Sequence, residues 1–487
     1  MAVGDVTKGK YFPSYVDVVL RHAAHDPMRA AIGTENGILS YGQLAHASLG
    51  ATQSCHRSGI AQGQVVGILI EDPIWHITLA IALHRLGAVS VSISPEEASL
   101  PLGMQSILSD RPVGTGFGGK VLTVDSNWFT PGPDVDSLPK VDLPGNALCR
   151  IALSSGTTGT PKAIAMSPEI LWHRFTTYAM RGRFSVSEKI LCGPQLRSHF
   201  GFAVAFSALM GGKMVCFSTS ASSTVPLISY FGADLAILSV HQVSELADVQ
   251  REQFGGLSSL KEIQAGGSKI SDQLLTKIKS TIACSLLNTY ASTEAGTAAV
   301  GHVEALGDLR NKGAIGVLAP WCQVVSCDEN GNELPEGQVG NLRVTALGMA
   351  PPYVVGMTTV EEPASFFPGD VGFVSKERLL FVEGRSSEII NLGGNKIAPD
   401  TIEKVVLECA GVKAAAVFAI TERTELPQIT VVVEADAGFD PKQVMKHCGE
   451  RLGIMTPTAI RVVDEIPRNV TGKIMYDKLK EMFSKAV

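Results

Sequence analysis

The sequence predicts an α/β protein with a large N-terminal region and a small C-terminal α+β domain, and three stretches predict it. From Gly63, "GQVVGILIEDPIWHITLAIALHRLGAVSVSIS" reads as a buried strand, a turn at Asp72-Pro73, a helix that stops at Gly87 and a second strand. That is the pattern of a βαβ unit in a parallel sheet. After about residue 320, "CQVVSCDENGNELPEGQVGNLRVTA" carries the Asn330-Gly331 turn and the alternating apolar positions of antiparallel hairpins. From Gly384 onward, "GRSSEIINLGGNKIAPDTIEKVVLECAGVKAAAVFAI" opens a small α+β domain, so the expected division is 1–384 and 385–487.

Between these landmarks the elements follow in order. Residues 125–147, "DSNWFTPGPDVDSLPKVDLPGNA", hold four prolines among alternating polar residues and read as a surface connection. "LCRIALSS" is a short strand that delivers the loop at 154–162, and strand–helix alternation continues through "KMVCFST", "DLAILSV" and "SLLNTY". No internal repeat or low-complexity tract interrupts the chain.

Composition excludes several function classes. The 487 residues are 45% hydrophobic and 18% charged, with a net charge of −6 and no basic run interleaved with aromatics. A nucleic-acid or anionic-membrane partner is therefore not expected. Nine cysteines form no CxxC pair, and no His/Cys cluster completes a zinc-like set near Cys322 and Cys327. Reduced thiols, an N-terminus without a signal-peptide core and an apolar stretch broken by His84 and Arg85 together lead us to expect a soluble, cytoplasmic protein.

The loop "SSGTTGTPK" (154–162) is bare of core-forming side chains and rich in donors. A glycine- and hydroxyl-rich loop after a strand presents N–H and O–H groups to an anion, and the lysine adds a charge, so phosphate oxygens are its natural guest. The GxxxxGK[ST] pattern of the P-loop is absent here. Taken alone, the stretch also suits a flexible surface loop.

Four further stretches follow it in order: "NTYASTE" (288–294), "FPGDVGF" (367–373), "VEGRSSEIINLGGNKIAP" (382–399) and "IPRNVTGKIMYDKL" (466–479). The set resembles the ordered motifs of the adenylate-forming superfamily, which includes acyl- and aryl-CoA ligases, adenylation domains of peptide synthetases and luciferases. Residues 39–69 look like that family's opening and "AGGSKISDQLL" (265–275) like its nucleotide-base loop, so the likeness spans nearly the whole chain.

The resemblance implies a role for each group. Ser154, Ser155, Gly156, Thr157, Thr158, Gly159 and Lys162 would form a mobile cradle over the β- and γ-phosphates of ATP. Thr293 would donate to the α-phosphate and Glu294 would hold Mg²⁺, a hard cation that prefers oxygen ligands. Asp370 would accept both ribose hydroxyls with Arg385 beside it, while Gly266, Gly267, Ser268 and Tyr290 would line the adenine. Lys473 would reach the site from its tight turn, the alternative being an ordinary surface lysine. The C-terminal domain would act as a lid turning about residue 387 between two half-reactions.

Several positions depart from the family's common pattern: Ala163 and Ala291 for glycine, Ser387 at the hinge, Asn391 for lysine and Pro368 for threonine. In the acid pocket, Gly201 stands where amino-acid-activating relatives have an aspartate, which favours a plain carboxylic acid. His199, Phe200, Gly201 and Gln264 are candidate pocket residues, with simple packing as their alternative. The expected activity is an AMP-forming acid:CoA ligase using ATP, Mg²⁺ and CoA. The alternatives are a free-standing enzyme loading a carrier protein and a non-catalytic nucleotide-binding relative.

Overall fold

The computed structural model describes residues 14–133, 138–139, 141–154, 161–218, 220–252, 257–388, 390–392, 395–421, 427–436, 438–469 and 473–484. The βαβ unit forms as expected: strand Val65–Leu69, helix Pro73–Arg85 and parallel strand Val89–Ser92. Asp72 caps this helix by accepting the Trp75 N–H at 2.8 Å, and Pro73 takes its first turn, where a missing N–H does no harm. Gly87 ends the unit at φ +68°, a conformation that favours glycine.

That unit belongs to a six-stranded sheet, parallel except for its last member, Lys162–Met166, which returns antiparallel along Arg150–Ser154. A second sheet has 13 strands among the described residues. Its parallel centre includes Leu235–Ser239, Glu262–Gly266 and Ser285–Ser292. Beyond Ser285–Ser292 the pairing turns antiparallel through Gly296–His302, Ala314–Leu318 and Leu379–Arg385. The expected hairpin pairs Cys322–Cys327 with Gly340–Ala346, and Gly331 sits in its turn at φ +84°. The helices Pro168–Ala179 and His199–Met210 lie against the sheets, their aromatic residues Phe175, Phe202 and Phe206 clustered with Tyr15.

The stretch 125–147 corrects the sequence reading in part. Ser126–Phe129 is a tight 3₁₀ turn, and Phe129 packs on Trp75 with ring centroids 5.0 Å apart. Its backbone also fills the space a side chain would need at Gly50, so two aromatics dock a segment that its prolines mark as a connection.

The small C-terminal domain has its own core of Ile402, Val406, Val417, Val431 and Cys448. Strands Val412–Thr421, Pro427–Ala435 and Ala459–Val463 carry helices Pro399–Leu407 and Pro441–Leu452. It touches the large domain through polar contacts: Lys269 to Asp400 at 3.2 Å and Lys404 Nζ to the Asn311 carbonyl at 3.1 Å. All nine cysteines are free, and no described helix is long and apolar enough to cross a membrane.

Candidate active site

The loop that opened the functional reading connects two paired strand ends. Ser154 faces Lys162 across the antiparallel pair, and its hydroxyl donates to the Lys162 carbonyl at 3.4 Å. Lys162 is exposed. Ser155, Gly156, Thr157, Thr158 and Gly159 lie outside the described residues. Ala163 follows in regular strand geometry opposite Leu153, with no positive φ.

Thr293 and Glu294 form the turn between Ser285–Ser292 and Gly296–His302. The turn is held from below by Arg174 of helix Pro168–Ala179, a residue that the sequence reading missed. Its Nη2 donates to the carbonyls of Thr293 (3.3 Å) and Glu294 (2.6 Å), and the Ala350 N–H also donates to Glu294 O at 2.8 Å. Gly296, at φ +72°, leaves room for this guanidinium, since a Cβ there would lie 1.7 Å from Arg174 Nη1. An arginine in a helical run gives no sequence signal of such a role; only the fold brings it under the turn. With its backbone fixed, the Glu294 side chain is half-buried, and among the described residues its carboxylate takes no hydrogen bond or ion pair. A free, hard oxygen donor so placed fits a magnesium ion.

Asp370 and Arg385 are paired across neighbouring strands, with Arg385 Nε 3.3 Å from Asp370 Oδ1. Tyr290 donates its hydroxyl to the other oxygen, Oδ2. Each carboxylate oxygen keeps a lone pair for a further donor. Burial first, and then the Asp370 charge, raise Tyr290 well above its ordinary value, which keeps it a donor. Gly266 ends strand Glu262–Gly266, Gly267 turns at φ +96°, and Ser268 is exposed beyond it.

Lys473 enters from the other domain. Its N–H donates to Asn469 Oδ1 at 3.0 Å, and the Asn469 N–H donates to its carbonyl at 2.8 Å. Burial lowers its ammonium, and Arg385 lowers it further, while Asp370, Glu294 and Glu388 pull it back up. The charges at 294, 370 and 385 thus act on one ammonium of the C-terminal domain.

Of the pocket candidates, Phe200 lies against Gly266, its ring 3.6 Å from where a Cβ would stand. His199 is buried, with Nδ1 unpartnered among the described residues. Burial, then the charges of Arg174 and Arg150, lower it to about 3, so it is neutral. Gln264 shares the Gly266 face of its strand; its amide donates to the Arg181 carbonyl and to Glu262, at 3.2 and 3.0 Å. Gly201 faces the 194–195 backbone, where an added Cβ would meet Gln195 O at 2.3 Å, the close packing that stood as the alternative to a pocket role. Ser387 is exposed, and the side chain of Asn391 lies outside the described residues.

Residues 19–354 match the family model described as AMP-binding enzyme, and residues 401–473 match the AMP-binding enzyme C-terminal domain. The chain belongs to the AMP-binding enzyme family. Among relatives of this family, a 2-succinylbenzoate–CoA ligase of Geobacillus kaustophilus is 24% identical over 94% of this chain and 96% of its own. An indoleacetate–CoA ligase of Aromatoleum aromaticum is 25% identical over 96% and 97%. The fold matches that of ATP-bound MatB from Rhodopseudomonas palustris, with a TM-score of 0.83 at 20% identity, covering 96% of this chain and 99% of that one. It also matches MenE from Bacillus subtilis in complex with its acyl-adenylate intermediate, with a TM-score of 0.81 at 19% identity, covering 96% and 98%. The chain is thus an adenylate-forming superfamily member that resembles acyl- and aryl-CoA synthetases, whose cofactors are ATP, Mg²⁺ and CoA.

Proposed function

We propose that this AMP-binding enzyme activates a carboxylic acid as an acyl-adenylate and passes the acyl group to CoA. The observation that carries the reading is Lys473, a C-terminal-domain ammonium on which the charges of Glu294, Asp370 and Arg385 of the large domain act. Asp370, oriented by Tyr290 and Arg385, receives the ribose. Gly266, Gly267 and Ser268 border the base, and residues 154–162 receive the outer phosphates. Thr293 donates to the α-phosphate, and the ammonium of Lys473 draws the acid's carboxylate toward the α-phosphorus against the surrounding negative charge. Attack there forms the acid–phosphorus bond and expels pyrophosphate. A magnesium ion, when bound at Glu294, neutralises phosphate charge. A thiolate then attacks the acyl carbon and AMP leaves.

The boundary at 384/385, the hinge at Ser387 and the lid movement belong to this proposal. Its support is the polar character of the contacts between the domains, which a rotation can break without exposing a core. Relatives named as CoA ligases support free CoA as the thiol. A carrier-protein phosphopantetheine is the alternative acceptor. We place the enzyme in the cytoplasm, where nine unpaired cysteines remain reduced.

Lys473→Ala tests the reading. We expect adenylate formation to fall about 100-fold or more, the scale on which a positioned charge acts, while thioester formation from supplied acyl-adenylate persists. Equal loss of both half-reactions would remove Lys473 from the role.

A further inference from the structure

Three arginines are buried without a carboxylate partner among the described residues: Arg150, Arg174 and Arg181. An unpaired charge in the interior is costly, so the contacts of each are informative. Arg150 is anchored by the hydroxyls of Ser90 (3.3 Å) and Ser92 (2.9 Å) and by the Phe202 ring, 3.5 Å from its Cζ. Arg174 is anchored by the carbonyls beneath Thr293 and Glu294. Arg181 differs. Its plane lies over the Tyr178 ring at 3.1 Å, yet both Nε and Nη2 lack any hydrogen-bond partner while only 2% of the residue is exposed. Those two nitrogens form the side-on edge of the guanidinium, the pair of parallel donors that a carboxylate accepts in a bidentate fork.

Arg181 is also joined, through its backbone, to a candidate pocket residue on strand Glu262–Gly266. Gly266, which borders Phe200, and Gln264 are two residues apart on one strand face, so Gln264 lies about 7 Å deeper. Arg181 is tied to that deeper row, since its carbonyl accepts from Gln264 Nε2 at 3.2 Å. Tyr178, its platform, is one helical turn beyond Arg174, so a single helix face runs from the Thr293–Glu294 turn toward Gln264 and Arg181. The nearby carboxylate of Glu262 is engaged elsewhere, by the Arg183 N–H and the Gln264 amide, each at 3.0 Å, and makes no ion pair with Arg181. Gln264 Oε1 has no donor either; as an acceptor it repels a carboxylate and leaves the guanidinium edge as the seat.

We propose that Arg181 seats a second carboxylate of the substrate, so that the pocket takes a dicarboxylic acid with one end at Thr293–Glu294 and the other on this guanidinium edge. The inference rests on the acid-activating reading and names its substrate class. No bond changes at Arg181; it fixes the distal end and thereby the position of the reacting one.

The test is ATP–pyrophosphate exchange with aliphatic and aromatic dicarboxylates, each beside a monocarboxylate of equal length ending in methyl and one ending in hydroxyl. A dicarboxylate should exceed its methyl partner in kcat/KM by about 100-fold or more, as expected where a site's buried donors would otherwise go unmet. Arg181→Gln should shrink that ratio at least tenfold, and Arg181→Lys, which keeps the charge without the fork, should restore part of it. The ratio in the unaltered protein stands by itself if a variant does not fold. Exchange that runs as well with the methyl or hydroxyl acids would overturn the proposal and leave acid activation standing. If no acid drives exchange, thermal unfolding with added dicarboxylate separates the cases. Protection lost in Arg181→Gln would keep the seat and overturn activation, whereas no protection would overturn both.

Discussion

Ala163 and Ala291 occupy strand positions without a positive φ, opposite Leu153 and Thr297, Ala291 at a register shift after Tyr290. Neither needs the freedom of the glycine common in the family, so restoring it adds unfolded-state entropy and nothing else. Ala291→Gly should destabilise by about 0.5–1 kcal/mol in chemical denaturation, without a gain in rate; a tenfold faster enzyme would contradict this. Arg174 carries a different prediction. Replacing it with Met removes the donors that hold the Thr293 and Glu294 carbonyls. A magnesium titration of activity should then shift to about tenfold higher concentration, the effect of losing the groups that orient a ligand. An unchanged titration would show that Arg174 does not position Glu294. At this scale the sequence nominated Glu294, Asp370 and Lys473, because they sit in motifs. It did not convey Arg174 or Arg181, whose roles depend on which backbone or ring the fold sets beside them.

Among the elements, helix Pro399–Leu407 of the C-terminal domain carries a half-buried acid with a measurable signature. Glu403 accepts from the Tyr476 hydroxyl at 2.8 Å and the Val417 N–H at 2.9 Å. Burial, then the Asp400 charge, raise it to about 8 from an ordinary 4.5. The folded state thus keeps a proton that the unfolded chain releases, and this contribution to stability is present below pH 4.5 and lost as pH rises through about 8. Glu403→Gln keeps the accepting oxygen without the charge. It should match the parent at pH 5 and unfold at least about 4–8 °C higher at pH 8.5, the shift that about 1 kcal/mol gives a domain of this size; equal midpoints at both would contradict the assignment. The segment 385–388 is the other element to test. Ser387→Pro fixes φ in an exposed turn, and should spare adenylate formation while reducing thioester formation. Full turnover at the parental rate would place the hinge elsewhere. The alternating βαβ pattern and the Asn330-Gly331 hairpin were legible because periodicity and turn chemistry are local. The docking of Ser126–Phe129 was not, since Trp75 and Gly50 lie far away in sequence.

Across the whole molecule, the proposed function turns on two domains sharing one site. The ordered motifs indicated both parts of an AMP-binding enzyme, because phosphate, ribose and magnesium chemistry restrict which residues can serve. The acid is less legible: its candidate pocket residues lie on a helix and a sheet, where no short pattern is required. The central claim is that Lys473 completes an acid-activating site, and ATP–pyrophosphate exchange with Mg²⁺ and a panel of acids, in the parent and in Lys473→Ala, tests it most directly. The account predicts acid-dependent exchange in the parent that falls about 100-fold or more in the variant, with CoA converting a single turnover into many. Exchange of equal rate in both proteins would contradict it.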